Sequence, residues 1–160
     1  MQNTKKIGII VKDLSPSYLS FCLIDMINKQ VEETPDYDFT IFYENRYPNS
    51  LDVLCSTMSS SEIWNFDGVL ISTDISTTLS SLNSSSVRRR LFYVWDLEWT
   101  RQEGKDYDYV SKAYNHKEVE LVSRSVDHSP LLENYSNKKV SGVVDDFSFK
   151  DLKEILDGQQ

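Results

Sequence analysis

Along this chain, short apolar runs with almost no charge alternate with longer segments in which apolar residues recur every third or fourth position. The first pattern predicts strands and the second amphipathic helices. Six runs have strand character: Ile7 to Lys12, Phe39 to Tyr43, Gly68 to Ser72, Leu91 to Trp95, Glu120 to Ser123 and Val140 to Val144. Most of their residues are β-branched or aromatic, as in strands covered on both faces. Strands and helices taking turns in this way predict an α/β fold: a single doubly wound, mainly parallel, six-stranded Rossmann-like sheet with helices on both faces.

The helical segments carry starts and faces of their own. In DLSPSYLSFCLIDMINKQ, Ser15 is placed to cap a helix and Pro16 to open it, since that first turn needs no partner for its backbone N–H. Leu19, Cys22, Leu23, Met26 and Ile27 then form its apolar stripe. Tyr107, Val110, Ala113 and Tyr114 make a second such face. Ser148 followed by Asp151 has the spacing of a capping box, ahead of the stripe Phe149, Leu152, Ile155 and Leu156 and a stop at Gly158. The serine- and threonine-rich stretch Ser72 to Ser86 is expected to be the least ordered, as a loop or a short helix over Thr77 to Leu82, because serine competes with the backbone for hydrogen bonds. No repeat or long linker divides the chain, and residues 1–160 are expected to form one complete domain.

Composition narrows the picture. The 160 residues are 39% hydrophobic, enough for one core, and 17 basic against 25 acidic residues leave a formal charge of −8. Such a balance disfavours broad attraction to nucleic acid or to an anionic membrane. No run of about 18 apolar residues is present, and the N-terminus enters a strand pattern without a signal-peptide core, so a cytoplasmic protein is expected. Cys22 and Cys55 fall in segments of helical appearance, without metal-type spacing to each other or to a histidine; reduced thiols and no structural metal are expected. Arg88-Arg89-Arg90 directly precedes an apolar run, which reads as a solvated strand entrance or as an anion or partner patch.

In a sheet of order 3-2-1-4-5-6 the ligand crevice opens where the order reverses, between the first and fourth strands. Its walls would be the loop Asp13-Leu14-Ser15-Pro16-Ser17 and the segment Asp96-Leu97-Glu98-Trp99. The loop has no GxGxxG or GxxxxGKS pattern, and Gly8 lies inside the strand, so no dinucleotide, Walker-type nucleotide or other cofactor is expected. Ser15 and Ser17 either cap the helix or hold one anionic group at its start. Asp96 and Glu98, two apart in an extended strand, would share a face with carboxyls about 7 Å apart. Trp95, Leu97 and Trp99 would face the other way. Acids beside indoles suit a sugar: carboxylates accept hydroxyl hydrogen bonds, and an indole face covers the apolar face of a pyranose. If burial lifts its pKa, a carboxylate of this pair, Asp96 or Glu98, could serve as general base toward an acceptor hydroxyl. Thr73 and Asp74 follow the third strand and reach the same rim, or simply form a turn. His128, in SVDHSP, is a further candidate ligand contact, with Asp127 or Ser129 as the cap of the next helix.

From Asp67 onward, "FDGVLISTD", "RRRLFYVWDLEW" and "ELVSRSVDHSPLLENYSNKKVSGVVDDFSFKDLKEIL" together resemble the N-terminal, acceptor-side lobe of GT-B glycosyltransferases, including relatives in tailed phages. The family's NGVD motif corresponds to Gly142-Val143-Val144-Asp145-Asp146-Phe147, without the Asn-Gly-Val-Asp itself. The resemblance implies a lobe that binds a sugar, nucleotide or nucleotide-sugar, with acceptor-side chemistry on Asp96 and a pocket shaped by Glu98 and Trp99. It also implies that the donor is held mainly by a second lobe, whose acidic motif has no counterpart here. The site would then be completed by another chain, in a host cytoplasm if the chain is phage-encoded. The alternative is a non-catalytic structural or inhibitory protein derived from such a lobe, with a protein partner or a homo-oligomer. A flavodoxin-like protein has similar topology, but the first loop lacks the Ser/Thr-rich pattern that would hold a flavin phosphate.

Overall fold

The computed structural model describes residues 4–49, 51–101 and 106–158. The elements are β1 (Lys5–Val11), α1 (Tyr18–Glu33), β2 (Tyr37–Tyr43), β3 (Ser56–Ser59), β4 (Val69–Ser72), α2 (Ile75–Ser81), β5 (Arg89–Val94), α3 (Tyr107–Asn115), β6 (Val119–Ser123), α4 (His128–Ser136), β7 (Gly142–Val143) and α5 (Phe149–Asp157). All strand pairs are parallel, in the order β3-β2-β1-β4-β5-β6-β7.

The sheet thus has seven strands where the sequence pattern gave six. The additional strand is β3, Ser-Thr-Met-Ser, which is polar and largely exposed and so carries no apolar signature. Its presence moves the point of reversal. The outer place that a six-stranded order assigns to Gly68–Ser72 belongs to β3, and β4 lies directly against β1, with Ile7 opposite Val69 and Ile10 opposite Ser72. The order therefore reverses between β1 and β4, one strand away from the Leu91–Trp95 run. Gly68 shows how close the two strands come: a Cβ there would lie 2.3 Å from the backbone oxygen of Lys6.

Successive residues of β5 point to opposite sides of the sheet. Leu91 and Tyr93 pack with Leu23 and Ile27 of α1 and with Leu152, Ile155 and Leu156 of α5. Phe92 and Val94 pack instead with Ile75, Val110, Ala113, Tyr114 and Leu132 from α2, α3 and α4. The expected stripes of α1, α3 and α5 are largely buried, although Tyr107 is exposed.

Local capping differs from expectation in instructive ways. Ser17, not Ser15, caps α1: its Oγ accepts the Ser20 N–H at 3.1 Å, and the helix opens at Tyr18. Asp13 already holds Ser15 in a turn, accepting its N–H at 2.9 Å and its hydroxyl, so helical geometry starts two residues later. Ser148 caps α5, but Asp151 turns to the Asp145 N–H rather than back to Ser148. Cys55 sits in a bend before β3 and is not helical, and both thiols are free.

The Ser72–Ser86 stretch is ordered by its own hydroxyls. Ser72 Oγ lies 2.7 Å from Thr78 Oγ1, Ser81 donates to the Thr78 carbonyl, Ser84 to that of Ile63, and Ser86 to those of Trp64 and Phe66. Ser76 and Ser80 both donate to the Glu44 carboxylate beyond β2. The three consecutive arginines do not form one solvated patch either. Arg88 is exposed against Asp67, Arg89 makes a bidentate pair with Glu120 at 2.7 Å, and Arg90 is buried on the Ser81 and Ser84 carbonyls.

Candidate functional site

A cleft of about 360 Å³ opens beside the C-terminal ends of β4 and β5. Thr73 and Asp74 form one wall, Trp95, Asp96 and Glu98 the other, and Arg101 lies at the rim. Open parallel sheets bind ligands at this end, beside the reversal. A larger cleft of about 670 Å³ lies past β2 and β3, against Tyr43, Arg46, Tyr47 and Asp52. The smaller one holds Asp74 and Glu98, two carboxyls whose proton affinity is raised, which is the better mark of chemistry.

Thr73 is fixed at the floor, its Oγ1 donating to the Ile10 carbonyl at 3.1 Å and its N–H to Thr77 Oγ1. This ties the end of β4 to β1. Asp74 caps α2 in a reciprocal box, accepting the Thr77 N–H at 2.8 Å while its own N–H meets Thr77 Oγ1. Glu98 serves the same helix start, its Oε1 accepting the Ile75 N–H at 3.1 Å. Two carboxyls therefore share one helix N-terminus, where the helix dipole favours their charged forms. Burial opposes it: the Asp74 carboxyl is raised above its ordinary range, and Glu98 is pushed up to about 7 by burial first and by the Asp74 charge second.

Asp96 stands differently from its expected place. Strand β5 ends at Val94, and the chain bends so that the Glu98 N–H meets the Asp96 carbonyl at 2.9 Å before a 3-10 turn over Glu98–Arg101. Extended spacing no longer applies, and the two carboxyls part company. Asp96 is exposed and pairs with Arg101, so the burial its general-base role required belongs to Glu98.

Trp99 is not an open platform. Its ring stacks on Tyr135 at 4.6 Å and meets Tyr114 edge-on at 5.2 Å, within the packing of α3 and α4. The indole that lines the cleft is Trp95. Asp13, Ser15 and Ser17 close their loop on themselves and do not line the cleft. His128 does not line it either. Its N–H meets Ser125 Oγ at 3.2 Å, and its Nδ1 is buried without a partner among the described residues. The fully buried Tyr114 likewise has an unpartnered hydroxyl.

A second constellation, which the sequence did not announce, surrounds Trp95. Arg124 lays its guanidinium 3.8 Å from the centre of the Trp95 ring and donates from Nε and Nη2 to Asp146 Oδ1 at 2.9 and 2.7 Å. The Tyr18 hydroxyl donates to Asp146 Oδ2 at 2.6 Å. Tyr18 and then Arg124 hold the Asp146 carboxyl below its usual range. Asp146 and Phe147 are consecutive residues with φ of 40° and 60°. Only register brings Arg124 and Asp146 together, since Ser123 of β6 lies opposite Val143 of β7.

Among the described residues no group of three or more His, Cys, Asp or Glu side chains is arranged to hold a metal, and no helix is long and apolar enough to cross a membrane. Neither protein-family models nor curated protein sequences match the chain.

The raised Glu98 pKa has a definite consequence. Between about 4.5 and 7 the folded chain keeps a proton that the unfolded chain has lost, so Glu98 makes stability fall as pH rises through that window and level off above it. Glu98→Gln keeps an acceptor for the Ile75 N–H and removes the titration. It is expected to flatten this part of the stability–pH profile and to be about 1 kcal/mol more stable than wild type at pH 8, after allowance for screening in a partly open cleft. Urea melts of both proteins from pH 5 to 8 check this; parallel profiles would refute it.

Proposed function

We propose that this chain is a glycosyltransferase-like lobe that binds a sugar in the cleft between Thr73-Asp74 and Trp95-Glu98, without being a complete enzyme by itself. The observation that carries the reading is Glu98: a half-buried carboxyl titrating near neutrality, beside an indole and two further acids. Such a group accepts a hydrogen bond from a sugar hydroxyl and, when ionised, can take its proton. In this reading Glu98 is the general base, and exposed Asp96, held by Arg101, orients hydroxyls. The separate packing of α1 and α5 against one set of β5 residues and of α2, α3 and α4 against the other supports a doubly wound sheet of the kind found in GT-B lobes.

The lining also selects within the expected ligand classes. Asp74, Asp96 and Glu98 face one arginine, itself paired, so a diphosphate would meet a negative field. A neutral, hydroxyl-rich ligand is favoured over a nucleotide-sugar. Donor binding would then fall to another chain or lobe.

Thermal unfolding in the presence of neutral mono- and disaccharides, with nucleotide-sugars in parallel, tests the proposal. A neutral sugar is expected to raise the melting temperature in a saturable way, and Asp96→Ala is expected to weaken the effect. No shift with any sugar would sink it. The competing non-catalytic reading draws on Tyr18 and Phe21, both more than half exposed on α1. It predicts a protein complex or homo-oligomer indifferent to Asp96→Ala and Glu98→Gln.

A further inference from the structure

We infer that Arg124 and Tyr18 form an oxyanion site for a phosphate monoester, and that Asp146 occupies this site in cis. Three donors from two elements converge there: Arg124 Nε and Nη2, just past β6, and the Tyr18 hydroxyl at the start of α1. Two of them crowd one carboxylate oxygen, Oδ1, at 2.9 and 2.7 Å. A phosphate monoester, with three terminal oxygens, would spread the same donors one to an oxygen. Arg124 is held for this: its guanidinium carbon lies 3.8 Å from the centre of the Trp95 ring and 5.6 Å from that of Tyr18, so the two aromatic rings restrict the guanidinium before any ligand arrives. Arginine held by an aromatic face and offering paired N–H groups is the usual recognition element for planar or tetrahedral oxyanions.

The backbone supplies the second observation. Asp tolerates the left-handed region, but a bulky aromatic such as Phe147 at φ 60° is an outlier there. The chain accepts this conformation at two consecutive residues, and its result is to deliver the Asp146 carboxylate onto Arg124 and Tyr18. Strain of this kind collects at ligand clamps and switches rather than at ordinary ion pairs. The site is also within reach of solvent: the Arg124 and Asp146 side chains are 28% and 34% exposed. It lies at the C-terminal end of the sheet, where open α/β sheets take their ligands. An incoming phosphate displaces Asp146 and frees the Asp146–Phe147 corner.

The inference stands apart from the sugar reading, because inorganic phosphate and a neutral sugar can be titrated separately. The test uses inorganic phosphate at constant ionic strength, followed by thermal unfolding and tryptophan emission. Wild type should bind weakly, since its own carboxylate competes. Asp146→Asn and Asp146→Gly should each bind phosphate about tenfold tighter; the glycine suits the local φ and guards against misfolding. Arg124→Gln should abolish the response, alone and in the Asp146→Gly background. Acetate, as a planar oxyanion, should compete less well than phosphate. The inference is overturned if folded Asp146→Gly binds phosphate no tighter than wild type, or if Arg124→Gln leaves the response intact. Should both Asp146 variants unfold, a wild-type phosphate response that Arg124→Gln does not reduce overturns it equally.

Discussion

Phe147→Ala is expected to lose about 4 kcal/mol of stability, while Phe147→Gly, although it removes more of the side chain, should be no worse and up to about 1 kcal/mol better than the alanine. Phe147 is 2% exposed, meets Tyr93 edge-on at 4.7 Å and stacks on Trp95 at 5.6 Å, so truncation leaves an aromatic-sized void. At an ordinary core position glycine is worse than alanine, because it adds freedom to the unfolded chain. Here φ is 60°, and alanine keeps the Cβ that makes this region costly whereas glycine does not. The Phe147 N–H, 3.3 Å from the Tyr93 hydroxyl, is retained in both variants. Equilibrium urea unfolding decides the order. If glycine falls well below alanine, the left-handed corner is not strained and the case for a strained Asp146 clamp weakens with it.

The three adjacent arginines should separate by mutation as sharply as they do in space. Arg90→Ala is expected to cost about 3 kcal/mol, because it leaves the Ser81 and Ser84 carbonyls buried without their donor and empties a well-packed position. Its ion pair with half-exposed Glu118, at 3.6 Å, contributes little of this. Arg88→Ala should stay within about 0.5 kcal/mol of wild type, since its side chain is 72% exposed and its pair with Asp67 is long. Chemical denaturation of the two variants side by side is the measurement. Equal losses would mean that the three arginines act alike despite their different surroundings.

How far the chain could be read without coordinates depended on where each signal resides. Strand β1 was evident because Ile7, Ile9 and Ile10 are all fully buried and need no polar face. Strand β3 was invisible because Ser56, Thr57 and Met58 are exposed, and this one omission displaced the crevice by a strand. Thr73 and Asp74 consequently lie at the end of the strand that borders the reversal, and Asp96 stands exposed against Arg101. The order of the serine-rich stretch was illegible for a different reason. Its hydroxyls find partners as distant as Glu44 and Ile63, and no local spacing encodes such pairings. Glu98 was recognisable as a carboxylate in an aromatic run, but its burial comes from a bend after Val94 that the apolar run conceals. Arg124 and Asp146 had no sequence signal, because they meet only through the register of β6 with β7.

The taper of the sheet bears on how copies of this chain could associate. Strands β1 and β2 run for seven residues each, but the flanks are β3 with four and β7 with two. Outer strands are where a folded protein offers unpaired N–H and C=O groups to another chain, and shortening them is a recognised safeguard against runaway strand addition. Neither flank here has the length to template a stable intermolecular ladder. The short flanks therefore favour dimers or mixed complexes built from side-chain surfaces over strand addition, and concentrated solutions should resist fibril growth as long as the native sheet persists.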